Sequence, residues 1–271
     1  MMFSAMFNDL SRWRGLYTEA RVECRRDLRM PDTLIATLSF PAFFYAVFAL
    51  MFDFGGDEFD GATYLLATLG AVGVIAPAML GCATVLANER RSGWLELRQA
   101  LPLPAGGWLL AKLTSTLMLA LLALVPLILL ATVFAGVRLP LTDWFGLVST
   151  LLAGLVPFAI LGLAIGRYGT ERGAGALANL IFLPMIFFSG LMIPVAMFPE
   201  PVKQLAIWLP AFHLGELALH QMGMREGSTA GHWLALATWS GIGVAVALAP
   251  VWWPRGGFPL QRSTRTVVKD Q

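Results

Sequence analysis

Residues 88–112 read NERRSGWLELRQALPLPAGGWLLAK, a charged and amphipathic stretch held between two long apolar runs. Read as a helix, it puts Trp94, Leu95 and Leu97 on an apolar side, while Glu89, Arg90, Arg91, Glu96 and Arg98 give a polar surface of mixed sign. Leu101-Pro102-Leu103-Pro104 ends the helix, because proline removes a backbone donor and pushes the preceding residue out of helical geometry. A Gly-Gly pair follows, and Trp108 and Lys112 stand where the chain re-enters lipid, as interfacial anchors do. The physics of this stretch fits both an ordinary positive loop and a helix that meets a partner.

The flanking sequence sets the class. Hydrophobic residues make up 57% of the 271 and charged ones 13%, against about 25% charged in a soluble domain. Apolar runs of about 20 residues are each one membrane span, and the chain holds six: near 34–52, 62–87, 108–135, 144–166, 174–191 and 232–253. The expected fold is therefore an all-α integral membrane protein of six transmembrane helices, forming a single domain over 1–271.

Residues 1–33 form an amphipathic helix for the inner membrane surface, with Leu10, Trp13, Tyr17, Ala20 and Cys24 at helical spacing among arginines. Residues 193–224 are interrupted by Pro194, Pro199, Pro201 and Pro210, so no full span fits there. Two short helices at, or partly re-entering, the outer face are expected instead. Pro77 and Pro126 inside spans predict kinks, and Gly162-Leu-Ala-Ile-Gly166 has the G-x-x-x-G form found in helix dimers. Cys24 and Cys82 read as structural thiols. No cleavable signal peptide is expected, since a long charged segment precedes the first apolar run.

Charge orients the spans. Sixteen of the nineteen Lys and Arg residues fall on one side of a six-span layout, and Arg138, Lys203 and Arg225 on the other. By the positive-inside rule both termini and residues 88–112 face the cytosol.

The pattern E-R-x-x-G-x-L-E-x-x-x-x-x-P-L, carried by Glu89, Arg90, Gly93, Leu95, Glu96, Pro102 and Leu103, resembles the segment between spans two and three of ABC-2 type transporter permeases. Arg91-Ser92 stands where that family often has another acid. The resemblance implies that residues 88–104 are a cytoplasmic coupling helix seated in a groove of a separate ATP-hydrolysing subunit. Glu89, Arg90 and Glu96 would make its polar contacts, and Trp94, Leu95 and Leu97 its apolar footing. Arg26-Asp27-Leu28-Arg29-Met30-Pro31 is similar to the family's R-D-x-x-x-P approach to span one. The stretch 209–216 is similar to the one before the last span, which implies an outer gate of Pro210, His213, Glu216 and, on the same helical face, His220. The resemblance further implies a permease in a bacterial-type inner membrane, paired with a second copy or a relative among membrane lipids. It would export a hydrophobic or amphipathic substrate such as a drug, a lipid or a lipid-linked glycan. ATP and magnesium would sit on the partner subunit, and nothing points to nucleic acid.

Other chemistry is scarce. The chain has no G-x-x-x-x-G-K-[ST] phosphate loop, so it is not expected to be an enzyme. The spans carry almost no charge, which disfavours a proton-coupled carrier. His213, Glu216 and His220 share a helical face at i, i+3 and i+7. They leave open an intramembrane metal-dependent enzyme, although no fourth ligand is evident and neither a catalytic nor a metal site is assigned. A membrane scaffold without transport is the third alternative.

Overall fold

The computed structural model describes residues 2–51, 61–94 and 107–249, with side chains described for 15–48, 61–94 and 107–249. Every regular element among them is a helix. In chain order these are α1 (Met2–Leu28), α2 (Pro31–Met51), α3 (Gly61–Ala76), a π-helical turn (Pro77–Gly81), α4 (Cys82–Arg91), α5 (Gly107–Val133), α6 (Leu141–Ala153), α7 (Leu155–Tyr168) and α8 (Gly173–Phe188). A 3₁₀ turn (Val195–Met197), α9 (Glu200–Ala206), α10 (Pro210–Gln221) and α11 (Ala230–Leu248) complete the described part. Five helical stretches are long and apolar enough to cross a bilayer: Pro31–Phe48, Gly61–Arg91, Gly107–Val133, Leu141–Tyr168 and Ala230–Leu248.

The stretch Gly61–Arg91 is the axis of the bundle. Its sequence is rich in Gly and Ala and apolar on every side, so neighbours approach it closely all round, and from Thr63 to Ile75 every residue is buried. Helices α2, α5 and α10 pack on α3, while α7 packs on the π-turn and α4. The π-turn itself has a covalent cause. Pro77 has no amide hydrogen to donate, and a missing rung in the ladder is relieved by the wider π geometry.

The G-x-x-x-G pattern serves this axis. A methyl group on Gly162 would run into the carbonyl oxygens of Ala78 and Met79, and one on Gly166 would meet that of Ala83. The two glycines let α7 lie backbone to backbone against the π-turn and α4 of the same chain, where the sequence pattern alone suggested a contact between copies.

Two element boundaries depart from the sequence reading. The fifth apolar run ends at Phe188 rather than Leu191, because the Ser189 amide closes onto Met185 and Gly190 adopts a positive φ of 87°, with Val195 packed where its side chain would be. At 16 residues α8 is about 24 Å long, shorter than a typical hydrocarbon core. The charged segment is not one helix from Asn88 onward. Helix α4 stops at Arg91, the Ser92 amide bonds Asn88, and Gly93 turns the chain with φ 71° before helical geometry resumes at Trp94.

Helix α1 turns its acidic residues to the protein: Glu23 and Asp27, one turn apart, are buried, while Tyr17 of the apolar stripe is 69% exposed on the chain's surface. An amphipathic helix ordinarily hides its apolar side. Here the acidic side is hidden because Lys112 of α5 meets Glu23 and Arg26 of α1 itself meets both Glu23 and Asp27.

The axis gives a paired prediction. Gly162→Ala should destabilise the protein by about 1–3 kcal/mol, since the obstacle is backbone and cannot swing aside. Gly81→Ala has open space around the new methyl and should be neutral or slightly stabilising. Thermal unfolding of the detergent-solubilised protein checks both.

Candidate functional site

The candidate site is the junction of α1, α4 and α5, and it is built around Lys112. Helix α4 ends in Glu89-Arg90-Arg91, α5 presents Trp108 and Lys112 one turn apart, and α1 presents Glu23, Arg26 and Asp27 on consecutive turns. The Lys112 ammonium lies 2.8 Å from Glu23 Oε2 and 2.7 Å from Glu89 Oε1. Trp108 Nε1–H donates to the other Glu89 oxygen at 2.7 Å. The Arg26 guanidinium reaches Glu23 at 2.8 Å, Asp27 at 3.1 Å and Glu89 at 3.4 Å.

These charges are withdrawn from solvent. Lys112 is 3% exposed and Glu89 7%, so each must be matched within the chain or bear an uncompensated desolvation cost. For Arg26, burial lowers the guanidinium pKa, but the carboxylates of Glu23, Asp27 and Glu89 outweigh it and the net shift is upward. Burial, with Asp27 and Glu23 close by, pushes the Cys24 thiol up, which agrees with a structural cysteine.

The next two residues fasten a further helix. Arg90 donates to the carbonyl oxygens of Gly166, at 3.1 Å, and Arg167, at the carboxyl end of α7, where a cation also suits the helix dipole. Arg91 pairs with Glu171 in the turn that follows α7. Both of those side chains are open to solvent, so this pair adds little by itself.

This placement revises the roles read from sequence. Glu89 has almost no surface to offer another subunit, and Arg90, itself exposed, bonds α7 through Nη1. Of the predicted coupling residues, Trp94 is outward, 45% exposed beside Gly93, while Leu95, Glu96, Leu97 and Pro102 lie outside the described residues. Glu23 was missed because the arginines dominate α1, and Asp27 was read only as part of the approach to span one. Their i, i+4 spacing, together with a lysine inside an apolar run, was the available signal.

At the far end of α3, the proposed outer trio does not converge. Pro210 opens α10 at its first position, where its fixed φ suits a helix start. His213 Nδ1 lies 3.0 Å from His232 Nδ1 of α11, Glu216 pairs with Arg225 at 3.0 Å, and His220 Nε2 meets the Gly227 carbonyl at 3.1 Å. Three neighbours draw the three side chains apart, and no group of three metal-ligating side chains forms among the described residues. The metal-dependent enzyme therefore loses its constellation.

The histidine pair is a contact the sequence did not signal. Burial, then the facing His232, holds the His213 pKa below its ordinary value, so the ring favours the neutral state and one nitrogen can accept from the other.

Two predictions follow from these contacts. Lys112→Met leaves Glu23 and Glu89 buried beside one fewer cation and should cost about 3–5 kcal/mol, read as a lower unfolding midpoint. Because the folded state depresses the His213 pKa, its stabilising share is present above the unfolded value near 6.5 and is lost as pH falls through the folded one. The unfolding midpoint should fall on acidification from pH 7 to 5, and His213→Gln should flatten that slope.

The described geometry can be set beside known proteins. The model of the ABC-2 type transporter family matches residues 16–222, a stretch that begins in α1, passes through the charged junction and ends just after α10. The Bacillus subtilis (strain 168) protein named "Putative transport permease YvfS" is 22% identical over 201 residues, covering 74% of this chain and 82% of that protein. With more than half of its length matched by the family model and several helices able to cross a bilayer, this chain is a multi-pass membrane protein that belongs to the ABC-2 type transporter family.

Proposed function

We propose that the chain is the permease subunit of an ATP-driven exporter, working with a separate ATPase subunit that binds ATP and magnesium. Two permease copies, identical or related, line a central path in a bacterial-type inner membrane. In this reading α8 is a span as well, the fifth of six, both termini and the 88–104 segment face the cytosol, and α9 and α10 sit at the outer face with Pro210, His213, Glu216 and His220 at the exit. The substrate class is hydrophobic or amphipathic.

The observation that supports this reading best is the Lys112 junction. It fixes the end of α4, the start of α5 and the carboxyl half of α1 to one another, and Arg90 adds α7. A push on the segment beyond Gly93 therefore moves several helices as one body instead of bending a loop. The ATPase supplies that push when it closes on ATP, and Trp94, Leu95 and Glu96 are the contacts it meets. Glu89 acts one step behind, as the fastening between lever and bundle.

The division of labour between Trp94 and Glu89 is the test. The permease is co-purified with its ATPase in wild-type, Trp94→Ala and Glu89→Gln forms, scoring retained ATPase, ATP hydrolysis and unfolding midpoint. Trp94→Ala should lose ATPase by tenfold or more at unchanged midpoint, as loss of an exposed aromatic anchor of about 2 kcal/mol predicts. Glu89→Gln should lower the midpoint first. Failure of any ATPase to associate with the wild-type chain would sink the transporter reading and favour a scaffold.

A further inference from the structure

We infer that the groove between α2, the π-turn and α8 is a binding site for an amphipathic molecule with a cationic head, held by Asp32 and Asn179. The inference rests on the transporter reading for the molecule's fate, though not for its binding.

Two large cavities open along the bundle. One, of about 670 Å³, lies between α7, α8 and α11 and is lined almost wholly by apolar side chains, as any cleft filled by lipid would be. The other, of about 570 Å³, is different in chemistry. Asp32, Thr33, Thr37, Thr84 and Asn179 line it together with apolar groups such as Phe40 and Leu183.

The polar groups there are short of partners. Threonines in the spanning helices commonly bond back one turn, as Thr84, Thr114, Thr116, Thr132 and Thr238 do with the carbonyls of Leu80, Leu110, Lys112, Ile128 and Leu234. Among the described residues, the side chains of Asp32, Thr33, Thr37 and Asn179 make no hydrogen bond or ion pair. Asn179 is the telling member. It is a full amide in the second turn of an apolar helix, it is exposed at the surface of the chain, and no described side chain bonds it. Its amide, open in the groove beside the Asp32 carboxylate, is a ready hydrogen-bond partner for the polar head of a bound molecule.

Charge and layout select the occupant. Asp32 is the one ionised side chain of the lining, and its carboxylate complements a cation. Thr33 and Thr37 sit one turn apart on the same face of α2 as Phe40, with about 1.5 Å of rise per residue. Asp32, Thr33 and Asn179 thus lie toward the ends of α2 and α8 nearest the Lys112 junction, and Phe40 and Leu183 lie deeper. A molecule standing with its head at that end and its tail along α2 and α8 brings its cation to the Asp32 carboxylate, an N–H donor to the Asn179 carbonyl oxygen and its tail to Phe40 and Leu183. A neutral apolar molecule would leave the amide and the carboxylate as they are. We assign the occupant to a transported amphiphile taken from the leaflet on that side, bearing an ammonium or similar cation.

The permease, purified in dodecyl maltoside with its ATPase, is titrated with dodecylammonium, whose head carries three N–H donors, and with an uncharged dodecyl polyglycol ether of the same tail. Affinity is read from ligand-dependent thermal shift, which rises with occupancy of the folded state. The wild type should bind the cation more tightly than the ether, Asp32→Asn should weaken the cation by roughly tenfold without affecting the ether, and Asp32→Glu should keep the preference. Asn179→Leu should weaken the cation as well. Equal affinity for the two heads in wild type and Asp32→Asn overturns the site. So does an interchain disulfide in Asn179→Cys that forms regardless of the cation, which would give the groove to a second copy. Retained ATPase with no head preference sinks the site alone. Head preference without any ATPase supports the site and sinks the transporter reading.

Discussion

A buried ammonium with no carboxylate beside it is among the costlier arrangements a fold can contain, and the organisation of this protein depends on avoiding it at Lys112. Glu23 lies 89 residues before Lys112 and both meet in one cluster with Arg26 and Glu89, which are 63 residues apart. Each member is tolerable only while the others are in place. Such a cluster contributes less to net stability than to register, because hydrophobic groups of the same volume would pack as well but would not distinguish one helix rotation from another. It sets how α1 lies against α5 and where α4 ends. The direction in which the chain leaves Gly93 follows from that.

The second constraint is steric and sits at the middle of the bundle. Helices in lipid gain little from apolar contact with each other, since the tails around them are equally apolar. Close approach has to come from missing side chains. Gly162 and Gly166 supply it against a segment whose own backbone is widened at Pro77, so that α7 rests on carbonyl oxygens. Arg90 then anchors the carboxyl end of the same helix. Two contacts of different kinds thereby hold α7 to the Gly61–Arg91 axis, one by shape and one by hydrogen bonding. The axis carries at its end the segment that the family resemblance assigns to the ATPase. Motion at that segment has a stiff path into the bundle.

Composition, run length and charge placement are local or additive properties, and they determined the membrane class, the approximate helices and the proline breaks in 193–224; the family came from the motif resemblance carried by Glu89, Arg90, Gly93, Leu95, Glu96, Pro102 and Leu103. The stretch 88–112 could be singled out because it is charged where its neighbours are not. Gly93 was also legible, as a family-motif glycine, though its positive φ and the helix break it makes were not.

Tertiary structure alone decided which of the charged groups face inward. Glu89, Arg90 and Arg91 are three neighbouring charges in the sequence, yet one joins a buried cluster, one caps α7 and one reaches a turn, because their partners come from α1, α5 and the end of α7. For the same reason His213 pairs with His232 rather than with Glu216 and His220, and the G-x-x-x-G pattern is spent within the chain. Periodicity gives the face a residue occupies on its own helix. What that face meets is set by helices far away in sequence, and the cost of burying a charge or an amide makes that meeting specific.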